Sequence, residues 1–250
     1  MFDEQNRYVI EDYQSKSPFS SFLPGIAGPM GVPVWCYYNN RGQAVCSFGA
    51  KDKDHALMEF KPAHTAYQDV SRTGFRTFCK ADGEYRELFT ENCGMHIGMS
   101  EVEITCKTGG LEAAAVYFGV PGERTAALAR VLTVRNAGKE PVSLELLDGM
   151  PAVVPYGVEQ DALKNMANLA KAWMKVEDAD KGLACFDIGH LHHGAYVGRR
   201  VGHLHPSRAA RAVADDTDRR SRSAYLHQLL RPLLPGQQLR LLAGGGQGYD

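Results

Sequence analysis

Trp35, Tyr37 and Tyr38 run directly into Asn39, Asn40, Arg41 and Gly42. In this run, residue types that bind sugars lie side by side. An aromatic face can lie against sugar C–H groups, while amides and a guanidinium bond hydroxyls or phosphate. On a strand, Trp35 and Tyr37 point to one face, and Cys36 and Tyr38 to the other. Packing alone would account for both pairs. The binding reading puts Tyr38, with Asn39, Asn40 and Arg41 on the adjoining turn, at the rim of a sheet as a candidate substrate-binding set.

Other reactive residue types are scattered. Glycosidic bond cleavage uses a carboxylic acid and a second carboxylate. Asp148 in LLDGMP and Glu59 in MEFKP are the carboxylates to consider. Both sit in strand-to-turn contexts that read as scaffold, so no catalytic residue is assigned. His55, His64 and His96 are far apart in sequence and adjoin no serine or cysteine nucleophile motif. The six cysteines, at 36, 46, 79, 93, 106 and 185, form no CxxC pair. Zinc and redox motifs bring two thiols within a few residues, so reduced, buried cysteines are expected.

The tail carries three suggestive patterns. His190, His192, His193, His203 and His205 supply imidazoles, but only Asp187 lies near enough to orient them, so no metal is expected. The basic run 208–223 contains Asp215, Asp216 and Asp218 and no aromatic residue, which speaks against nucleic-acid binding. The closing GGGQG (244–248) lacks the strand, helix and lysine of a phosphate loop and reads as a frayed end.

The elements that must position these residues are mainly β. PVWCYY (33–38), QAVCSFG (43–49), HALMEF (55–60), FRTFCK (75–80) and EYRELF (84–89) are short runs rich in aromatic or β-branched residues. Asn40-Arg41-Gly42 and Asp82-Gly83 punctuate them as turns. From Glu101 to Lys107 the pattern alternates, with Val102, Ile104 and Cys106 on one face. LEAAAVYFGV (111–120), AALARVLTVRN (126–136) and VSLELLDG (142–149) continue as strands. This spacing predicts a large antiparallel β-sandwich (a supersandwich) over residues 1–157. Leu163, Met166, Ala170 and Trp173 then recur at helical spacing, predicting one amphipathic helix of about four turns over 159–173, packed on the sandwich. That helix opens a segment, 158–183, in which a further piece of sandwich begins.

Residues 182–250 differ in composition. All 11 lysines precede residue 182, and the tail also has no Glu, Asn, Met or Trp. It holds nine arginines against five aspartates, a net +4, whereas residues 1–181 carry a net −5. Arg, His, Leu, Pro, Gly and Ala dominate a GC-rich gene read out of frame. A frameshift near Phe186 is therefore expected, making 184–250 an out-of-frame tail of doubtful structure. The N-terminus is acidic and polar, without the apolar core of a signal peptide. No stretch reaches the roughly 18 apolar residues of a membrane span. A cytoplasmic protein without membrane attachment is the expectation.

The stretch PFSSFLPGIAGPMGVPVWCYYNNRGQAVCSFG (18–49) resembles the opening of the 1,2-β-oligoglucan phosphorylases, inverting glycoside phosphorylases of family 94. MEFKPAHTAYQDVSRTGFRTF (58–78), LELLDGMPAVVPYGV (144–158) and the helix ending in Ala172-Trp173 look like the same family. The similarity covers roughly residues 7–183 and stops near Phe186. With synonymous codons free, the +1 frame of residues 217–227 admits Ile-Val-Asp-Pro and an apolar run, like a strand expected downstream in the family.

The resemblance implies an N-terminal β-sandwich that precedes a helical linker, an (α/α)6 barrel and a small sheet domain. It implies reversible phosphorolysis of β-1,2-linked glucooligosaccharides to glucose 1-phosphate. Inorganic phosphate is the nucleophile, and no metal or organic cofactor takes part. The general acid is a barrel aspartate with no counterpart in this chain, so the chain itself is expected to be inactive. In related enzymes the sandwich builds a dimer contact and lends a wall to the substrate cleft. The alternatives are a stand-alone carbohydrate-binding or structural sandwich, a cyclic β-1,2-glucan synthase, or a disaccharide phosphorylase.

Overall fold

The computed structural model describes residues 1–27, 32–121, 125–151, 153–154, 158–166, 169, 172, 174–177, 185–188, 224–229 and 238–248. Its strands, in chain order, begin with β1 (Tyr8–Glu11), β2 (Ser20–Leu23), β3 (Ile26–Ala27), β4 (Val32–Asn39), β5 (Val45–Ala50) and β6 (Ala56–Met58). A helix, α1 (Ala63–Thr73), precedes β7 (Arg76–Ala81), β8 (Glu84–Glu87), β9 (Cys93–Ile97), β10 (Glu101–Thr108) and β11 (Leu111–Gly119). Then come β12 (Thr125–Asn136), β13 (Leu144–Met150), helix α2 (Gln160–Met166), β14 (Met174–Glu177) and β15 (Cys185–Ile188), followed by β16 (Ala224–Leu229) and β17 (Gln238–Gly248).

The pairing among these strands is antiparallel. One sheet runs β1-β9-β10-β11-β12-β17, a second β16-β13-β7-β8, and a third β2-β4-β5-β6. A single apolar core joins the three. It includes Met95, Ile104, Tyr117 and Leu132 from the first sheet, Cys79 and Leu146 from the second, and Cys36, Tyr38 and Phe48 from the third. The fold is mainly β, an antiparallel sandwich.

Alternation explains most of these strands. Val102, Ile104 and Cys106 are buried, as their spacing predicts, and Leu111, Ala113, Ala115 and Tyr117 continue the core face on β11. Gly109 and Gly110 make the connection between them, with φ of 56° and 78°. Two successive positive φ values match the twist of a tight hairpin, and glycine adopts them without a Cβ clash. Gly42 (φ 52°) is held for a second reason: a Cβ there would stand 2.9 Å from the Ser71 Cα on α1.

Two expectations need correction. Helix α1 interrupts the stretch 1–157 read as a β-sandwich. Ala66 and Val70, four apart, form its buried stripe and pack on Cys46 of β5. The chain leaves the helix at Gly74, whose N–H donates to the Val70 carbonyl (2.8 Å). The run 55–60 forms only the short strand β6 because Pro62 and the helix follow at once. A helix also falls where the amphipathic pattern of 159–173 places one: α2 spans Gln160–Met166, residues 169 and 172 are helical as well, and residues 167, 168, 170, 171 and 173 lie outside the described residues. Leu163 of α2 is buried against Val154 and Val158, and the Val154 N–H donates to the Leu57 carbonyl (2.9 Å), which fastens this unit to the sandwich.

The tail contributes β16 along β13 and β17 along β12. Residues 244–248, read as a frayed end, belong to β17 and pair with Thr125–Ala129. Backbone pairing explains this, because an open edge of β12 offers donors and acceptors to any extended segment, glycine-rich or not. Residues 190–223, with five of the tail histidines and the basic run, lie outside the described residues.

The N-terminus is fastened by charge. The Asp3 carboxylate accepts from the Gln5 and Arg7 N–H groups (3.0 and 2.9 Å) and from Arg7 Nε (2.9 Å), while Arg7 also reaches Glu103 (2.7 Å) on β10. The Arg7 backbone N–H above all, with help from His96 and the Arg7 side chain, holds the Asp3 carboxyl well below its ordinary 3.8. A lowered folded pKa means stabilisation that is complete above the unfolded value and is lost as pH falls through the folded one. Amide exchange in Tyr8–Glu11 is therefore expected to accelerate below about pH 4, ahead of exchange in β10. Simultaneous loss of protection in both strands would refute a separate N-terminal clamp.

Candidate functional site

The aromatic run on β4 is divided between two environments. Its inner face carries Cys36 and Tyr38, both in the core. Its outer face carries Trp35, half-buried, and Tyr37, 40% exposed. Phe60 stands between these two. Its ring centroid is 5.6 Å from Trp35 at 90° and 5.7 Å from Tyr37 at 65°, the edge-to-face geometry favoured by aromatic quadrupoles. Trp35 and Tyr37 are 6.1 Å apart.

Two features fix Trp35. Its Nε1 donates to the Asp52 carbonyl (2.9 Å), and its ring lies on Gly49, where a Cβ would approach Cζ2 to 2.5 Å. Across the strand pair, Phe22 is opposite Tyr37 and 63% exposed. The result is an aromatic surface on the outer side of β2 and β4, with a fixed tryptophan at its centre.

The four residues proposed from sequence sit differently from that proposal. Tyr38 is buried, and burial pushes its hydroxyl pKa up. Asn39 is buried, and its Oδ1 accepts from the Arg41 N–H (3.0 Å). Asn40 is fully buried. Its Nδ2 lies within 3.0–3.2 Å of the carbonyls of Tyr13, Lys16 and Ser17, and its Oδ1 accepts from the Phe19 N–H (3.1 Å). Arg41 is half-buried. It donates to the Asn40 and Lys16 carbonyls (2.7 and 3.2 Å) and covers the Tyr67 ring at 4.6 Å. Asn40 and Arg41 therefore spend their hydrogen bonds on the chain crossing from Tyr13 to Phe19. The aromatic residues left on the outer face are Trp35, Tyr37 and Phe60, of which only Phe60 was unmarked in the sequence.

The carboxylates also have internal assignments. Asp148 lies wholly within the sandwich, where Arg130 NH1 donates to its Oδ2 and Thr77 Oγ1 donates to its Oδ1 (2.7 Å). Arg130 further donates to the Tyr117 hydroxyl (3.0 Å) and to Gln43 Oε1 (2.6 Å). Its guanidinium lies 5.2 Å from the Phe75 ring centroid and 5.5 Å from that of Tyr117. Burial pushes the Asp148 carboxyl up, and Arg130 and Thr77 draw it back. A guanidinium keeps its proton at any ordinary pH, so Arg130 sets a full positive charge beside this carboxyl. With both oxygens hydrogen-bonded and out of solvent, this carboxyl serves the fold. Arg130 is on β12, Asp148 and Thr77 are on the second sheet, and Gln43 is on the turn of the third, so one guanidinium ties all three sheets together.

Glu59 offers its backbone carbonyl to Ser47 Oγ (2.8 Å). Of the histidines, His64 is exposed, His55 bonds Asp52 (2.6 Å) and His96 bonds Asp3 (3.1 Å). Among the described residues, no group of three His, Cys, Asp or Glu side chains is placed to hold a metal ion, and no helix is long and apolar enough to cross a membrane. No protein-family model matches the sequence, and no curated protein matches it significantly.

Proposed function

We propose that this chain is the N-terminal, non-catalytic β-sandwich of a carbohydrate phosphorylase acting on β-1,2-linked glucooligosaccharides. The aromatic surface of Trp35, Tyr37 and Phe60 is the observation that carries the reading. Trp35 and Tyr37 lie within the segment 18–49 on which the family resemblance rests, and the exposed ring of Tyr37 suits sugar C–H groups. The antiparallel sandwich is the architecture that the resemblance implies for this region. In this reading the surface forms a wall of a substrate cleft completed elsewhere, and inorganic phosphate is the co-substrate of the parent enzyme. Asp148 is sequestered by Arg130, so the chain alone supplies no acid there and turns over no substrate.

Affinity electrophoresis through gels containing β-1,2-glucan tests the surface. Retardation is expected, and Tyr37→Ala should weaken it about fivefold to thirtyfold, the loss of an aromatic anchor worth about 1–2 kcal/mol. Equal mobility with and without glucan would remove the sugar reading. Release of glucose 1-phosphate from a β-1,2-glucooligosaccharide and phosphate by the 250-residue chain would refute the inactive-domain reading.

Sequencing the gene beyond codon 180 in all three frames addresses the tail. The composition favours a shifted frame near Phe186, and the pairing of β16 and β17 weighs against it. A second frame running into a helical barrel with its acidic residue would establish the parent phosphorylase. A single uninterrupted frame without one would favour a stand-alone binding sandwich.

A further inference from the structure

Cys93 and Cys106 are 13 positions apart in sequence and directly opposite each other on β9 and β10. The hairpin joining these strands is closed by the Gly98 N–H donating to the Glu101 carbonyl (2.9 Å). Antiparallel pairs alternate between hydrogen-bonded and non-hydrogen-bonded. Counting outward from that closing pair through an unbroken register, Gly94 and Thr105 form a bonded pair, and Cys93 and Cys106 a non-bonded one. Non-bonded pairs bring Cα atoms to about 4.5 Å and their side chains closest together, inside the roughly 4.4–6.8 Å range that a disulfide spans. Both side chains face the core, with Met95 and Ile104 as their neighbours on that face.

We propose that Cys93 and Cys106 form a redox-active pair that closes to a cross-strand disulfide on reaction with a low-molecular-weight disulfide of the glutathione class. In the first step the Cys106 thiolate attacks one sulfur of the small disulfide, forming a mixed disulfide and releasing one small thiol. Cys93 then loses its proton and attacks the Cys106 sulfur, which expels the second small thiol. The two cysteines are oxidised by two electrons, the small disulfide is reduced to two thiols, and the two cysteine protons leave with them.

The surroundings assign these roles. The Cys106 thiol lies below its ordinary pKa: Cys93 above all, then the backbones of Phe89 and Ala113 and the Thr108 side chain, favour the thiolate against the effect of burial. The loop before β9 delivers the Phe89 contact; Phe89 and Asn92 both hold left-handed backbone, with φ of 63° and 52°. Cys93, whose Sγ donates to the Glu91 carbonyl (3.1 Å), is pushed up by its neighbour Cys106 and by burial, so it waits as the protonated partner. Cys79, the nearest competitor, is raised to about 11 by burial and lies on β7 in another sheet.

The pair lies at the open end of the hairpin. Glu91, Asn92 and Lys107 beside it are exposed, so fraying of that end admits a small oxidant without global unfolding. Closing the bond would fasten the end of the hairpin that carries no turn.

Tryptic mapping gives a direct test, because peptide 87–107 contains Cys93 and Cys106 and no other cysteine, while Cys79 falls in peptide 77–80. The native chain is equilibrated with glutathione disulfide, alkylated, digested and weighed. Peptide 87–107 is expected to be lighter by two hydrogens and to take up no alkyl group, and dithiothreitol should reverse both changes. The midpoint of thermal unfolding should rise by about 5–10 °C on oxidation, as closure of a short loop predicts. Two alkyl groups on peptide 87–107, a persistent glutathione adduct, or a link to peptide 77–80 would each overturn the proposal. Cys79→Ala should leave the result unchanged, and loss of the link in that variant would transfer the chemistry to Cys79.

Discussion

Replacing Arg130 by methionine is expected to destabilise the chain by about 3–5 kcal/mol, as measured by urea unfolding. The methionine fills much of the space but leaves the Asp148 carboxylate in the core without its counter-charge. It also removes the donor to Gln43 and the partner of the Tyr117 hydroxyl. In the variant, Asp148 folds best when protonated, so its folded pKa lies above the unfolded value. Stability gained that way is present at low pH and lost as pH rises, so the deficit should shrink as pH is lowered toward about 4. The double variant Arg130→Met with Asp148→Leu should recover much of the loss, because removing both charges avoids an unpaired one. A single variant within about 1 kcal/mol of wild type would mean that the network does not hold the three sheets together as described.

Asn40→Ala should cost about 2–4 kcal/mol, seen as a lower unfolding midpoint, and should leave glucan retardation of the folded protein unchanged. The side chain ties down three carbonyls and one N–H, each net hydrogen bond being worth about 0.5–1.5 kcal/mol. Some of these groups can turn to water once the amide is gone, which limits the loss. Tyr37→Ala should do the reverse: near-normal stability, since the ring is 40% exposed, and reduced retardation. If Asn40→Ala abolished retardation in a chain that melts normally, the binding role first read for Asn40 would stand, and the scaffolding role would fall.

Much of the sandwich was legible because its strands obey the alternation rule. β10, β11 and β13 show the pattern openly, and their burial follows it. Arg130 was legible too, although the strand reading passed over it. It falls in phase with Leu128, Leu132 and Val134, all buried, so the period assigns it to the core. Asp148 likewise falls in phase with Leu144 and Leu146. A charge of each sign on the inner face of two strands was the available signal for an ion pair.

Helix α1 had a weaker signature, with two small buried residues, Ala66 and Val70, among polar neighbours. The Cys93–Cys106 pair was illegible to any search for short spacings, because the register of a hairpin, and not sequence distance, brings the thiols together. The aromatic surface was half legible. The period separated Trp35 and Tyr37 from Tyr38, but only the packing of Phe60 told which side was outside.

The irregularity in β5 carries one more implication. Tyr38 pairs with Val45 but Tyr37 with Ser47, so Cys46 is an extra residue in the ladder. Its side chain turns to Ala66 and Val70 of α1, while Val45 and Phe48 on either side both reach the main core. Strand β5 therefore holds two phases, with Val45 inward before Cys46 and Phe48 inward after it. A gene that lost this one codon would encode a strand with flawless alternation. In it, Val45 and Phe48 would stand two positions apart and both face the core by plain alternation, and only the Cys46 contact with α1 would be lost.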